Sequence, residues 1–326
     1  MRIIVTGSIA FDYLMTFPGS FSEHLLPEHL NRISLSFLVD SMEKRRGGCA
    51  PNIAYNLALL GERPAIMGAA GVDFGEYRQW LEAVGVDTSL VKEVPGKFTA
   101  SFFCSTDRFN NQIASFYTGA MAHAGELSFR DLADGCDIAI ISPNDPGAMV
   151  KYVEECRSLA VRFIYDPGQQ CARSSAEELR AGVVGATILI VNDYEFELIR
   201  QKTGLGEADV LVRSEALVIT RGASGSTVLT HERRIDVPAV PVLRQADPTG
   251  IGDAYRGGFL KGLALGADFE TCARLGSVAA SYALEHVGAQ AHTYTWADFL
   301  ARYEEYFGPL QVPGGLRAGS AGRQRP

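Results

Sequence analysis

The stretch Thr187-Ile-Leu-Ile-Val191, followed at once by Asn192-Asp193-Tyr194-Glu195 and a helical pattern running to Thr203, is one strand feeding one helix. The five-residue run is mostly β-branched and shows no polar alternation, so it fits a strand buried on both faces. The unit repeats along the chain. Strands are predicted at 137–142, 162–166 and 216–220, and amphipathic helices at 146–159, 176–182 and 194–203. Strands alternating with helices specify an α/β fold built on a doubly wound, mainly parallel sheet. Long helical segments at 250–265 and 268–286 close this core, and a last helix is expected near 296–306. The chain opens on a further strand at 2–7.

The first 120 residues depart from this rhythm. Runs at 13–18 and 32–39 nearly alternate apolar and polar residues, as does a pair at 98–105 and 111–117 joined by the turn Asp107–Asn111. Alternation marks a sheet with one apolar face, which has to cover something. These strands, inserted at about 13–47 and 96–119, are expected to form a small lid sheet over the site, with its other face or an edge pairing with a second copy of the chain. A helix is predicted at 50–60. The expected domain is residues 1–307; the Gly/Pro/Arg/Ser-rich end, 308–326, reads as a disordered tail.

Composition narrows the function. The 326 residues carry a formal charge of −8 and are 47% hydrophobic, which disfavours a nucleic-acid binder. Lys44-Arg45-Arg46 is the densest basic run and reads as a solvated loop. No apolar run approaches membrane-span length, and the start lacks a leader pattern, so no membrane partner and a cytoplasmic protein are expected. Six scattered cysteines show no paired spacing and read as buried reduced thiols.

Chemistry concentrates in Asp247-Pro248-Thr249-Gly250-Ile251-Gly252-Asp253. Two glycines at a helix start let backbone N–H groups converge on an anion, and Asp253 sits one turn in, placed to accept a proton from an attacking hydroxyl. The plainer reading is a helix N-terminus capped by Thr249. Gly47-Gly48-Cys49-Ala50-Pro51-Asn52 allows backbone to approach a ligand closely, with the Asn52 amide available to a sugar hydroxyl; a loop before a helix also explains it. Asp12 suits a vicinal diol or a turn. Asn192 and Glu195, at a strand's carboxyl end, suit a hydrated Mg²⁺ or a helix cap. Thr220-Arg221-Gly222-Ala223-Ser224-Gly225 suits a nucleotide or a hairpin. Neither a P-loop nor a strand followed by GxGxxG is present.

The order of these segments resembles the ribokinase-like (PfkB) family of sugar and nucleoside kinases over about residues 1–305. Within it, Gly7-Ser8-Ile9-Ala10-Phe11-Asp12, Ser34–Asp40 and Asp166-Pro167-Gly168-Gln169-Gln170-Cys171-Ala172-Arg173 resemble bacterial adenosine kinases of the actinobacterial type. The resemblance implies transfer of the ATP γ-phosphoryl group to the adenosine 5′-hydroxyl, with Asp253 as base and the 250–253 amides as anion hole. It implies Arg173 beside the transferred phosphate, with Asn192 and Glu195 organising Mg²⁺. Ser8, Asp12, Gly48 and Asn52 would hold the ribose; Phe102, Phe116, Gln169 and Gln170 would lie near the base; Asn192, Thr220, Gly222 and Gly225 would bind ATP. A monovalent cation such as K⁺ would sit around Asp247, Thr249 and Gly288. The alternatives are another nucleoside kinase, a ribokinase- or fructokinase-like sugar kinase, or a non-catalytic nucleotide- or sugar-binding regulator. Pro248, Ile251 and the short Gly71-Val72-Asp73-Phe74-Gly75 segment depart from the family's commoner pattern.

Overall fold

A computed structural model describes residues 1–24, 34–132 and 135–313. Its strands are β1 (Ile3–Thr6), β2 (Ala10–Thr16), β3 (Ser41–Gly47), β4 (Ala65–Ala70), β5 (Val91–Glu93), β6 (Ala100–Thr106), β7 (Gln112–Tyr117), β8 (Ile138–Ile141), β9 (Arg162–Tyr165), β10 (Ile188–Asn192), β11 (Ala216–Thr220), β12 (Ser226–Leu229) and β13 (Arg234–Val237). The helices are α1 (Cys49–Leu59), α2 (Gly75–Ala83), α3 (Pro146–Ser158), α4 (Ala176–Gly185), α5 (Asp193–Thr203), α6 (Glu207–Leu211), α7 (Ile251–Ala264), α8 (Phe269–Leu284) and α9 (Trp296–Phe307). Among the described residues no helix is long and apolar enough to cross a membrane.

The main sheet has the order β13-β12-β11-β10-β9-β8-β1-β4-β5. Pairing is parallel from β11 across to β5, and β12 and β13 add antiparallel at the far edge. β8, β1 and β4 are buried along their whole length, as a sheet covered by helices on both faces requires. One apolar layer lies against α3, α4 and α5, the other against α1, α7 and α8. From β1 the chain passes to β4 on one side and to β8 on the other. A crevice opens where the winding reverses, outside the carboxyl ends of these strands. The expected α/β core is therefore present.

The second sheet has the order β3-β2-β6-β7. In register, Asp12 lies beside Arg45 on one side and Phe102 on the other, and Phe102 beside Phe116. Side chains alternate across a strand, so Asp12, Arg45, Phe102 and Phe116 share one face. The opposite face stacks Tyr13 on Phe103 at 4.8 Å between ring centroids.

Two expectations about this lid need correction. The strand expected at 32–39 is not there: 34–39 are irregular, 32–33 lie outside the described residues, and Leu38 is 85% exposed. The strand is instead 41–47, so Lys44-Arg45-Arg46 lies in a lid strand and not in a solvated loop. Hydrophobic alternation misplaced it because β3 is polar: Lys44 packs its ammonium 3.8 Å from the centroid of Phe11, and Arg46 lies over Trp80. The strand at 13–18 begins earlier, at Ala10, and ends at Thr16. All six cysteines are free, four of them buried and Cys49 and Cys136 partly so. Of the expected tail, 314–326 lie outside the described residues.

Candidate active site

The crevice places one functional candidate after each central strand. Ser8 follows β1, Ser142 follows β8, Asp166 follows β9, and Asn192 and Thr220 end β10 and β11. Across from them α7 begins. Its N-cap is Gly250, in the left-handed region at φ +78°, and Thr249 does not cap; the Thr249 amide instead donates to Asp247 Oδ1 at 2.9 Å. A Cβ at Gly250 would lie 2.4 Å from that of Ala289, so only glycine fits this turn. The turn brings the start of α7 to the crevice, where the first-turn amides of Gly252 and Asp253 and the helix dipole favour an anion, the Ile251 amide donating to the Pro248 carbonyl at 3.5 Å.

Asp253, in that first turn, accepts a hydrogen bond from Asn52 Nδ2 at 2.9 Å. Burial pushes its carboxyl up to about 7, partly offset by the Asn52 donor and the Arg256 guanidinium. A carboxyl titrating near neutrality with one oxygen already bonded is suited to take a proton from a hydroxyl. Asn52 stands on α1, reached through Gly48 at φ +93°, where a Cβ would overlap the Ser8 carbonyl oxygen at 2.4 Å. Ser8 Oγ accepts from the Cys49 amide at 3.3 Å. Asp12 lies against Gly47, whose missing Cβ makes room for its carboxylate. Burial raises Asp12 to about 6 although Arg45 opposes it.

A cleft of about 790 Å³ runs from Asp253 along the strand ends. Ile251, Gly252, Gln169, Asn192, Glu195, Thr220, Gly222 and Gly225 all line it. Asn192 and Glu195 form a reciprocal capping box on α5, and Thr220–Gly225 turn an antiparallel hairpin. The plain structural readings and the cleft positions hold together for both segments. Gln170 is buried and donates to the Asn144 carbonyl at 2.8 Å. Arg173 is exposed, just after the short helix 168–172, and is not among the residues lining the cleft.

The guanidinium in the cleft is instead Arg256, one turn after Asp253 and missed in the sequence. It is buried, bonds Asp166 Oδ1 at 2.5 Å, and its Nη1 occupies space that a side chain at Gly252 would fill. Asp166 also accepts from Ser142 Oγ. The i, i+3 spacing from Asp253 puts Arg256 on the same helix face, and Asp166 directly follows a strand at the crevice, so both were within reach of sequence reasoning.

Asp166, Glu195 and Asp253 face this single buried guanidinium. The oxygen donors of Asn192 and Glu195 at the end of β10 suit a hard divalent cation. Among the described residues no group of three His, Cys, Asp or Glu side chains is arranged to hold a metal directly, so Mg²⁺ would be held through water and phosphate oxygens. Asp247 brings Thr249 and Gly288 together by accepting from both amides, at 2.9 and 3.0 Å. Arg45 Nη1 lies 3.5 Å from the same Asp247 carboxylate.

The profile of the pfkB family of carbohydrate kinases matches residues 9–296. A nucleoside kinase of Methanocaldococcus jannaschii is 30% identical over 307 residues, 94% of this chain and 97% of that protein. The structure of Burkholderia thailandensis nucleoside kinase in complex with inosine superposes with a TM-score of 0.85 at 39% identity, covering 96% of this chain and all of that one. The same enzyme in complex with ADP-inosine gives 0.84 at 40% identity, covering 97% and 99%.

Proposed function

Since the chain belongs to the pfkB family of carbohydrate kinases, and so transfers a phosphoryl group to an alcohol, we propose that it is an ATP-dependent nucleoside kinase acting on the 5′-hydroxyl of a purine nucleoside, adenosine first. The observation that carries this reading is the 2.9 Å contact of Asn52 with Asp253. It joins the head of the nucleotide-sized cleft to the lid hinge, whose sheet presents Asp12, Phe102 and Phe116 on one face. Asp12, with Ser8, Gly48 and Asn52, would hold the ribose diol; Phe102 and Phe116 would flank the purine. Asn192, Thr220, Gly222 and Gly225 line the part of the cleft assigned to ATP.

In the reaction Asp253 takes the hydroxyl proton, the oxygen attacks the γ-phosphorus, and the bond to the departing ADP oxygen breaks. The amides at 250–253 and Arg256 face the charge that develops, the role first expected of Arg173. Bound Mg²⁺, held near Asn192 and Glu195, would neutralise phosphate charge. The lid's exposed apolar face, with Met42, Phe103, Ile113 and Tyr117 each at least 38% exposed, is assigned to a second copy of the chain, and residues 1–307 to a single catalytic domain.

A second reading, inosine as the main acceptor, is favoured by the inosine complex of the Burkholderia relative. An ATP-consumption screen over adenosine, inosine, guanosine, cytidine, ribose and fructose tests both. Turnover of ribose or fructose with no nucleoside activity would overturn the proposal.

A further inference from the structure

Gln290 lies 238 positions from Asn52 in sequence, yet its Nε2 donates to Asn52 Oδ1 at 2.9 Å. Its Oε1 accepts from the Trp80 indole N–H at 3.2 Å, and its Nε2 also reaches the Tyr77 hydroxyl. Tyr77 in turn donates to the Gly47 carbonyl at the lid hinge, at 2.9 Å. Asn52, Tyr77 and Gln290 are all buried.

The two ends of this array have fixed polarity. An indole N–H can only donate and a carbonyl can only accept. Tyr77 spends its one proton on Gly47, so it must accept from Gln290. The carboxamide of Gln290 therefore has one orientation, oxygen toward Trp80 and nitrogen toward Asn52. That pins Asn52 Oδ1 and leaves Nδ2 for Asp253. We infer that Gln290 is a positioning residue for the transfer: through Trp80 and Tyr77 it locks the Asn52 amide so that a donor is always presented to one oxygen of Asp253, and the other oxygen stays free for the acceptor hydroxyl. The inference rests on Asp253 as the base and adds to that reading the group that orients it.

The test is the pH dependence of kcat at saturating nucleoside in the full-length protein, which leaves out the Asp12 titration carried by KM; Arg256 on the same helix and Asp166 and Glu195 across the cleft also act on Asp253 and are unchanged in every variant. Losing a donor to a carboxylate raises its pKa, and a hydrogen bond to a charged group corresponds to roughly 1 pH unit. Asn52→Ala and Gln290→Met should each move the rising acid limb upward, by roughly 1 pH unit for Asn52→Ala, with KM for ATP unmoved. In the double variant the limb should sit where Asn52→Ala alone puts it, because Gln290 acts only through Asn52. A folded Gln290→Met with a wild-type limb, or additive shifts in the double variant, overturns the inference. If Gln290→Met does not fold, Trp80→Phe decides in its place: it keeps an aromatic ring, removes the N–H, and should shift the limb in the same direction by less; no shift overturns the inference. Asp253→Asn separates the two readings. Near-wild-type kcat in that variant removes the base and the relay together, whereas an inactive Asp253→Asn beside an unmoved Gln290→Met limb removes the relay alone.

Discussion

Asp253→Asn tests the base through stability as well as rate. The substitution keeps the shape and an oxygen to accept from Asn52, so the fold and nucleotide binding should survive. The rate should not: loss of a general base costs about 10²–10⁴-fold in kcat. The carboxyl is raised to about 7 from an ordinary 3.8 by burial. A carboxyl raised in the folded state contributes stability that is complete below its unfolded pKa and is lost as pH rises through its folded pKa. The window is therefore about pH 4 to 7. Two pH units of it lie between pH 5 and pH 7, and at about 1.36 kcal/mol each they give an upper figure of about 3 kcal/mol. The group opens onto the cleft, and solvent there screens it, so about 2 kcal/mol is the working value. Urea denaturation of the ligand-free protein at pH 5 and pH 8 measures it. Between those values wild type should lose about 2 kcal/mol that Asp253→Asn does not lose. Parallel pH profiles for the two proteins, or a variant with near-wild-type kcat, would refute the assignment.

Asp12 should act as the diol acceptor. The 2′- and 3′-deoxynucleosides should be poor substrates beside the ribonucleoside, Asp12→Ala should narrow that gap, and KM for the nucleoside should rise as pH falls through about 6, where Asp12 gains its proton; equal kcat/KM for all three nucleosides in wild type would refute it. Gly48→Ala forces a Cβ onto the Ser8 carbonyl oxygen at a positive φ, and should lower stability by about 2 kcal/mol or more, read as a fall in Tm. Sedimentation at several concentrations should show a dimer that a charge at Phe103 or Tyr117 weakens, and limited proteolysis at the 107–111 turn should slow when nucleoside is added. A monomer throughout removes the pairing, and unchanged cleavage removes the closure.

The architecture is legible in the amino-acid pattern alone. Thr187–Val191 and its counterparts are unbroken apolar runs of strand length set between amphipathic helices, and such runs are buried in a covered parallel sheet whatever lies around them. The pattern also marks the helix start at 250–253, because paired glycines and an acid in the first turn are local signals, although it points to Thr249 as the cap where the structure puts Gly250. The polar lid strand at 41–47 escaped it, since β3 is held by cation–aromatic packing against Phe11 and Trp80, residues far away in sequence. Arg256 and Asp166 were each visible, but a buried ion pair is a distance between two segments, and sequence spacing carries no such distance. Gln290 left no local signal at all. Its role comes from the meeting of α1, α2, α7 and the loop after α8, where a donor-only indole and an acceptor-only carbonyl fix the polarity of every amide between them. Local patterns decide which elements form, because they act over a turn or a pleat; the chemistry of the site depends on side chains brought within hydrogen-bond reach by the packing of those elements, a distance between segments that no spacing along the chain sets.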